Sequence, residues 1–293
     1  MASTEIAGVL NINKPLGPTS FDVVARLRLI TRLRKIGHGG TLDPLASGVL
    51  PICIGRATRL VEYLSEDDKA YRAMIELGVT TTTDDKEGEV VTTQPVTVTR
   101  AQFESALAKF LGEVEQVPPI YSAIKHDGKH LYDLARQGKA VTVEARTVRF
   151  DRLEVVTWAP RLVQIDVVCS KGTYIRALAR DLGATLGCGA HLAGLIRTKS
   201  GAFTLSDATT LNEIEAARDW TTYLRPIDFA LSHLPEIIVD EDAARALING
   251  MAVEADAPKS PAPTRAYAAP HRFIGVVKYD EATSQWRPNK IFV

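Results

Sequence analysis

Apolar positions recur along the chain at two spacings. Val23, Val24, Leu27 and Ile30 fall three and four residues apart, behind Thr19 and Asp22 at capping-box spacing, so the pattern predicts a helix over 20–33. Ala57, Leu60, Val61 and Leu64 mark a second amphipathic helix. Thr99 caps a third, which carries Phe103, Leu107, Phe110 and Leu111. A fourth carries Ile175, Leu178, Ala179, Leu182 and Leu186 behind the turn Lys171-Gly172-Thr173. Residues 69–78 have period two instead. Tyr71, Ala73, Ile75 and Leu77 lie on one face and Arg72, Met74 and Glu76 on the other, a strand with Tyr71 on its apolar side. Residues 8–13, 162–170 and 192–198 read as further strands, and 37–51, with four glycines and two prolines, as a loop.

The texture changes near Leu234. A short helix around 240–249 stops at Gly250, residues 256–270 hold four prolines and read as a loop, and strands are expected at 273–279 and 290–293. A domain boundary is placed near 230. The mixture of periods supports an α+β fold class.

The 293 residues are 45% hydrophobic, enough for a substantial core, yet no apolar run approaches the ~20 residues of a membrane span. The N-terminal residues contain Glu5 and lack a basic region followed by an apolar stretch, which argues against a secretory signal. Cys53, Cys169 and Cys188 are scattered and form no CxxC, which argues for a reducing compartment and against a zinc site. A soluble, cytoplasmic protein is expected.

The formal net charge is zero, so the whole chain carries no nucleic-acid footprint. Charge is nevertheless local. Arg26, Arg28, Arg32, Arg34 and Lys35 fall within ten residues without an acid. Lys125, His126, Lys129, His130, Arg136 and Lys139 form a second cluster, interrupted by Asp127 and Asp133. Such clusters are either solvated faces or phosphate-binding patches.

The chemistry concentrates in His38-Gly39-Gly40-Thr41-Leu42-Asp43-Pro44-Leu45-Ala46-Ser47-Gly48-Val49-Leu50-Pro51. Without a Gly-Lys-Ser/Thr ending this is no P-loop, and Ser47 lacks the Gly-x-Ser-x-Gly frame. His38 and Asp43 have no further ligand at metal-binding spacing. What remains is a carboxylate in unusual backbone, since Pro44 disfavours helical geometry at Asp43 and the glycines allow close approach. Asp43 either performs chemistry or satisfies loop amides.

That loop, read from Gly37, resembles the catalytic signature of the TruB family, the bacterial tRNA pseudouridine-55 synthases. Four other stretches resemble family motifs in order: Asn13-Lys14-Pro15, Lys69-Ala70-Tyr71-Arg72, Cys169 to Leu178 and Gly189 to Arg197. Thr82 stands where close relatives often carry an acid, while Asp85 and Gly88 keep the pattern. The tail more loosely resembles a PUA-type RNA-binding domain, through Leu247-Ile248-Asn249-Gly250, Phe273-Ile274-Gly275-Val276 and Arg287 to Phe292.

The resemblance implies a pseudouridine-synthase fold with a mixed, mainly antiparallel sheet and flanking helices. Residues 1–230 would be catalytic, with an RNA-gripping insertion at about 119–146, and 231–293 would form a small PUA-like β domain. It implies base flipping and conversion of uridine 55 in the tRNA T-loop to pseudouridine, with neither cofactor nor metal. Asp43 would be the catalytic carboxylate, Arg176 its ion-pair partner, and Tyr71 the ring that stacks on the flipped uracil. Leu195 would line the base pocket, and Tyr174 would support Asp43 or the base by a hydrogen bond. His38 would insert against the RNA loop, Lys14 would support the pocket or contact RNA, and Lys129, His130 and Arg136 would contact phosphates. The expected partner is tRNA, held at the T-stem-loop and, through the tail domain, at the acceptor stem. A monomer without membrane contact or obligatory protein partner is expected. Competing readings are a catalytically idle RNA-binding or chaperone protein, a guide-RNA-dependent enzyme in a protein assembly, and a metal-dependent hydrolase.

Overall fold

The computed structural model describes residues 6–121, 125–126, 129–130, 143–258 and 260–293. Its main feature is a nine-stranded sheet. Along it run β1 (Gly8–Lys14), β3 (Ala46–Ile54), β12 (Ala190–Ser200), β4 (Lys69–Leu77), β11 (Leu162–Cys169), β10 (Arg146–Trp158) and β7 (Gly112–Gln116), in that order. β2 (Ile36–His38) pairs with β3 and β13 (Phe203–Thr204) with β12. Among the described residues only β12 and β3 pair in parallel within this sheet, so the mixed, mainly antiparallel architecture holds. Two short ladders lie apart, β5 (Val79–Thr81) with β6 (Val90–Thr93), and β8 (Lys125–His126) with β9 (Lys129–His130).

Helix Ser20–Thr31 starts on the expected capping box, with reciprocal bonds between Thr19 and Asp22, and ends at Arg32, whose φ of 58° breaks the helical path. Its Val23, Val24 and Leu27 pack with Leu10, Ile12, Leu50, Ile52 and Ile54 in one core cluster. A second cluster joins helices Arg100–Ala108 and Ile175–Leu186 to β4, β10 and β11 through Phe103, Leu107, Leu178 and Leu182 with Ala73, Ile75, Phe150, Val163 and Ile165. Each fully buried aliphatic side chain contributes roughly 1.5–3 kcal/mol, so these clusters fix the strands that carry the site. Tyr71 and Leu195 pack against both clusters and therefore sit at their seam.

Several strands depart from the sequence expectation, and three of them show why. The expected loop 37–51 contains β2's end and more than half of β3. β3 is buried almost throughout, so it shows no alternation, and Pro51 lies between the stretch paired with β12 and the stretch paired with β2. β10 is interrupted by register shifts at Phe150/Arg152 and Val155/Thr157, which scramble its two-residue period. β15 (Thr264–Ala268) lies inside the expected loop 256–270, because burial rather than β-propensity holds its small Ala266 and Ala268.

The tail forms its own four-stranded sheet, ordered β14 (Glu236–Val239), β15, β16 (Arg272–Asp280), β17 (Gln285–Ile291), with helix Glu241–Ile248 packed on it. Val276 and Phe292 of this region share a cluster with Val9, Cys53 and Ala57 of the main part. No helix among the described residues is long and apolar enough to cross a membrane.

Candidate active site

The connection from β2 to β3 is held from both sides. The Ser20 hydroxyl donates to the Leu42 carbonyl at 3.1 Å and accepts from the Leu42 amide at 2.8 Å. The Gly17 amide donates to the Pro44 carbonyl at 2.9 Å, and the Ala46 amide to the Asp43 carbonyl at 3.0 Å. Leu42 is buried in the first cluster and Leu45 in the second. Anchors on either side thus fix the backbone of Asp43, whose own side chain stays 38% exposed.

Arg176 meets it from the first turn of helix Ile175–Leu186. That helix is set by Gln116, whose side chain donates to the Tyr174 carbonyl at 3.1 Å and accepts from the Tyr174 amide at 2.8 Å. The buried guanidinium places Nη2 3.0 Å from Asp43 Oδ2 and Nη1 3.5 Å from Asp85 Oδ2. It also donates to the carbonyls of Tyr121 at 2.9 Å and Thr83 at 3.3 Å. Asp85 is buried and organised in turn by the Glu87 amide at 3.1 Å and by the Thr83 hydroxyl. A planar guanidinium suits this fork, since it can serve separate acceptors in fixed directions.

Two effects compete at Asp43. Crowding by protein raises its pKa above the ordinary carboxylate value and Asp85 raises it further, while Arg176 and Lys14 pull it down. The upward push is that of a crowded mouth rather than a closed interior, because the carboxylate still meets solvent. An anion there is partly desolvated and oriented, which strengthens it toward an electron-poor centre.

Tyr71 projects from β4 between Val167 on one neighbour and Arg197 on the other. Burial raises its phenol pKa, opposed first by Arg197. Leu195 lies two residues from Arg197 on β12, level with Ala46 and Ala73. The Lys14 amine is wholly buried and donates to the carbonyls of Pro15 at 2.9 Å and Pro18 at 2.6 Å. Burial pushes its pKa down to about 8, against the pull of Asp43. Of its two expected roles, supporting the pocket fits this burial; contact with RNA does not. His38 ends β2, half-buried, and among the described residues its Nδ1 has no hydrogen-bond partner; burial and then Arg197 lower its pKa.

Tyr174 is placed by the start of the helix rather than against Asp43. It precedes helix Ile175–Leu186, its ring lies 4.8 Å from the Arg146 guanidinium, and among the described residues it makes no hydrogen bond to Asp43. Lys129 and His130 fall in β9, which pairs with β8 in a two-stranded ladder separate from the main sheet. Arg136 lies outside the described residues.

Two residues at the centre were not singled out from sequence. Asp85 figured only as a pattern-keeper in a polar loop. Arg197 had a signal that was readable: it stands two residues beyond Leu195, hence on the same face, at the end of the apolar run Leu192 to Ile196.

Residues 28–175 match the family described as TruB family pseudouridylate synthase (N terminal domain), and 176–232 match the tRNA pseudouridylate synthase B C-terminal domain. The chain belongs to the TruB family. A protein of Dehalococcoides mccartyi named tRNA pseudouridine synthase B is 42% identical over 290 residues, covering 98% of this chain and 96% of its own length. One of Trichormus variabilis with the same name is 47% identical over 253 residues, covering 84% and 86%. Among solved structures, a chain from an H/ACA RNP bound to a substrate RNA containing 2'-deoxyuridine superposes with a TM-score of 0.76 at 26% identity, and one from a Cbf5-Nop10-Gar1 complex with 0.77 at 28%. Each alignment covers 98% of this chain and 85% of the other. The TruB match divides between Ile175 and Arg176, so the first part supplies Asp43, Tyr71 and Asp85 and the second Arg176, Leu195 and Arg197.

Proposed function

We propose that this TruB-family chain converts uridine to pseudouridine in tRNA, at position 55 of the T-loop, and that Asp43 is its catalytic carboxylate. The observation that carries this reading is the Asp43–Arg176 pair, a partly exposed carboxylate held 3.0 Å from a buried guanidinium, on a connection whose Leu42 and Leu45 are buried in the two clusters that Tyr71 and Leu195 both pack against.

The reaction breaks the N1–C1′ bond, turns the base and joins C5 to C1′. The C5 proton leaves and N1 gains one, so the net change is an isomerisation that requires no group donor. Flipping the nucleotide out of its stack costs a few kcal/mol, which base–aromatic contact with Tyr71 and enclosure by Leu195 offset. The Asp43 carboxylate then drives loss of the base from C1′, where positive character develops. Arg176 keeps that carboxylate ionised and aimed.

Residues 1–230 form the catalytic part in this reading, with the insertion at about 119–146 gripping RNA. Residues 231–293 form a PUA-like module that touches the acceptor stem; their separate sheet supports this. His38 inserts against the RNA loop, and Lys129, His130 and Arg136 contact phosphates. The enzyme acts alone, as a cytoplasmic monomer. The 42–47% identity to proteins named tRNA pseudouridine synthase B, against 26–28% to chains from the assemblies, supports that choice.

The test is incubation of the purified chain with a tRNA T-stem-loop transcript, with no metal, guide RNA or second protein, followed by nucleoside analysis. Pseudouridine at the position equivalent to 55 is expected. Bound but unmodified RNA would overturn the enzymatic reading.

A further inference from the structure

Arg197 is among the largest fully buried side chains of the protein, 1% exposed in the middle of β12. A buried guanidinium is costly unless its donors are met. Here they are met by two carbonyls of the connection that carries Asp43 and by one of β3. Nε donates to the Val49 carbonyl at 2.7 Å, Nη2 to the Gly40 carbonyl at 3.1 Å, and Nη1 to the Thr41 carbonyl at 3.4 Å. These acceptors bracket Asp43 in sequence, two before it and one after. The backbones are also close: Gly48, with φ of 102°, lies opposite Arg197, and a Cβ there would stand 2.3 Å from the Arg197 carbonyl oxygen. On its other side Arg197 is the register partner of Tyr71. Side chains at such paired positions project to the same face about 4.5–5.5 Å apart.

We propose that Arg197 is a positioning residue of the pseudouridine-forming site, a buried clamp that fixes the Asp43 connection to β12 and sets it against Tyr71. The inference rests on the function proposed above. One planar group spans three carbonyls, so it fixes the loop in two directions at once, which a point charge cannot do. The carbonyl oxygens it binds are dipoles and do not cancel its charge. That charge reaches the site, where it opposes the burial-driven rise of the Tyr71 phenol pKa and lowers those of Lys14 and His38. Arg197 thus sets both where Asp43 stands and the field around the ring that meets the base. It touches no substrate itself. The Ser20–Leu42 bonds hold the loop from the helix side, so loss of the clamp shifts the connection without freeing it.

The test compares wild type with Arg197→Lys and Arg197→Gln, each alone and with Tyr71→Phe, in three measurements. These are single-turnover pseudouridine formation on the T-stem-loop, RNA affinity, and hydrogen exchange of the RNA-free protein. Displacement of a reacting group by about 1 Å costs about 100-fold in rate, so a loss of that order is expected, with affinity within about 3-fold of wild type. Amide exchange over 39–49 should rise by about 10-fold or more while the rest of the sheet is unchanged. Losses from Arg197→Lys and Tyr71→Phe should combine less than multiplicatively, because the two act through one arrangement. Wild-type rate in a folded Arg197→Gln protein would overturn the proposal. So would uniform loosening of the sheet, or loss of folding in both variants, since Arg197 would then be structural. An inactive wild type would instead overturn the proposed function. The exchange measurement needs no activity, and an unchanged 39–49 segment would by itself refute the clamp.

Discussion

The Arg176 guanidinium stands 3.0 Å from the Asp43 carboxylate, and it does so from a position only 6% exposed. The pair is asymmetric: the cation is enclosed and fixed by four acceptors, while the anion opens to solvent. An arrangement built for stability alone would enclose both partners. This one presents a held carboxylate to something arriving from outside.

Replacing Arg176 should therefore damage the reaction more than the complex. Arg176→Ala is expected to lower the single-turnover rate by about 100-fold or more, with RNA affinity changed by a few-fold. Arg176→Lys should recover little, because an ammonium cannot span Asp43 and Asp85 as a fork does. Rapid-quench kinetics with a binding isotherm separates the two effects, and equal losses in both would contradict the pairing role.

The second carboxylate predicts a pH effect. Asp85 raises the Asp43 pKa, and crowding raises it more. The active form is the carboxylate, so activity is present above the Asp43 pKa and is lost as pH falls through it. The acid limb of the wild-type rate profile should lie above the ordinary carboxylate value. Asp85→Asn removes a nearby negative charge and should move that limb to lower pH, along with a rate loss from the less firmly held Arg176. A limb moved upward would show that the assigned sign is wrong.

Lys14 makes a prediction about stability. Its pKa in the folded chain is about 8, against 10.5 when unperturbed. Between those values the unfolded chain binds a proton that the folded chain does not, so stability rises with pH across that window. Its contribution is fully present above 10.5 and is lost as pH falls through 8. Denaturant unfolding of wild type and Lys14→Met at pH 7 and pH 10 should show wild type gaining relative to the variant, by at most about 3 kcal/mol. A constant difference would mean that Lys14 keeps its ordinary pKa.

Much of this was legible in the sequence, for physical reasons that differ by element. Helix Ser20–Thr31 was readable because its cap and apolar stripe are local. β4 was readable because it is half-buried and alternates, which also placed Tyr71 on the correct face. β3 was hidden because a fully buried strand has no period and this one contains Gly48 and Pro51, residues that normally mark turns. Asp43 was conspicuous before Pro44, yet only the fold brings it to Arg176, 133 positions later in the chain (176 minus 43). Asp85 was missed because an acid among threonines reads as a solvated loop; its burial is a tertiary fact. Tyr174 shows what a motif leaves open: it places the residue beside Arg176, while the direction of the ring, toward Arg146, is set by the fold.

One substitution shows most directly whether the Asp43 carboxylate carries the reaction. Asp43→Asn is nearly isosteric and should keep the loop, since the bonds of Leu42, Pro44 and Ala46 use backbone and Ser20 rather than the Asp43 side chain. Single-turnover assay on the T-stem-loop is the measurement, with RNA binding and melting recorded on the same sample. Pseudouridine formation should fall by about 10⁴-fold or more, with affinity and melting close to wild type. Turnover near the wild-type rate in the folded, RNA-bound variant would contradict it.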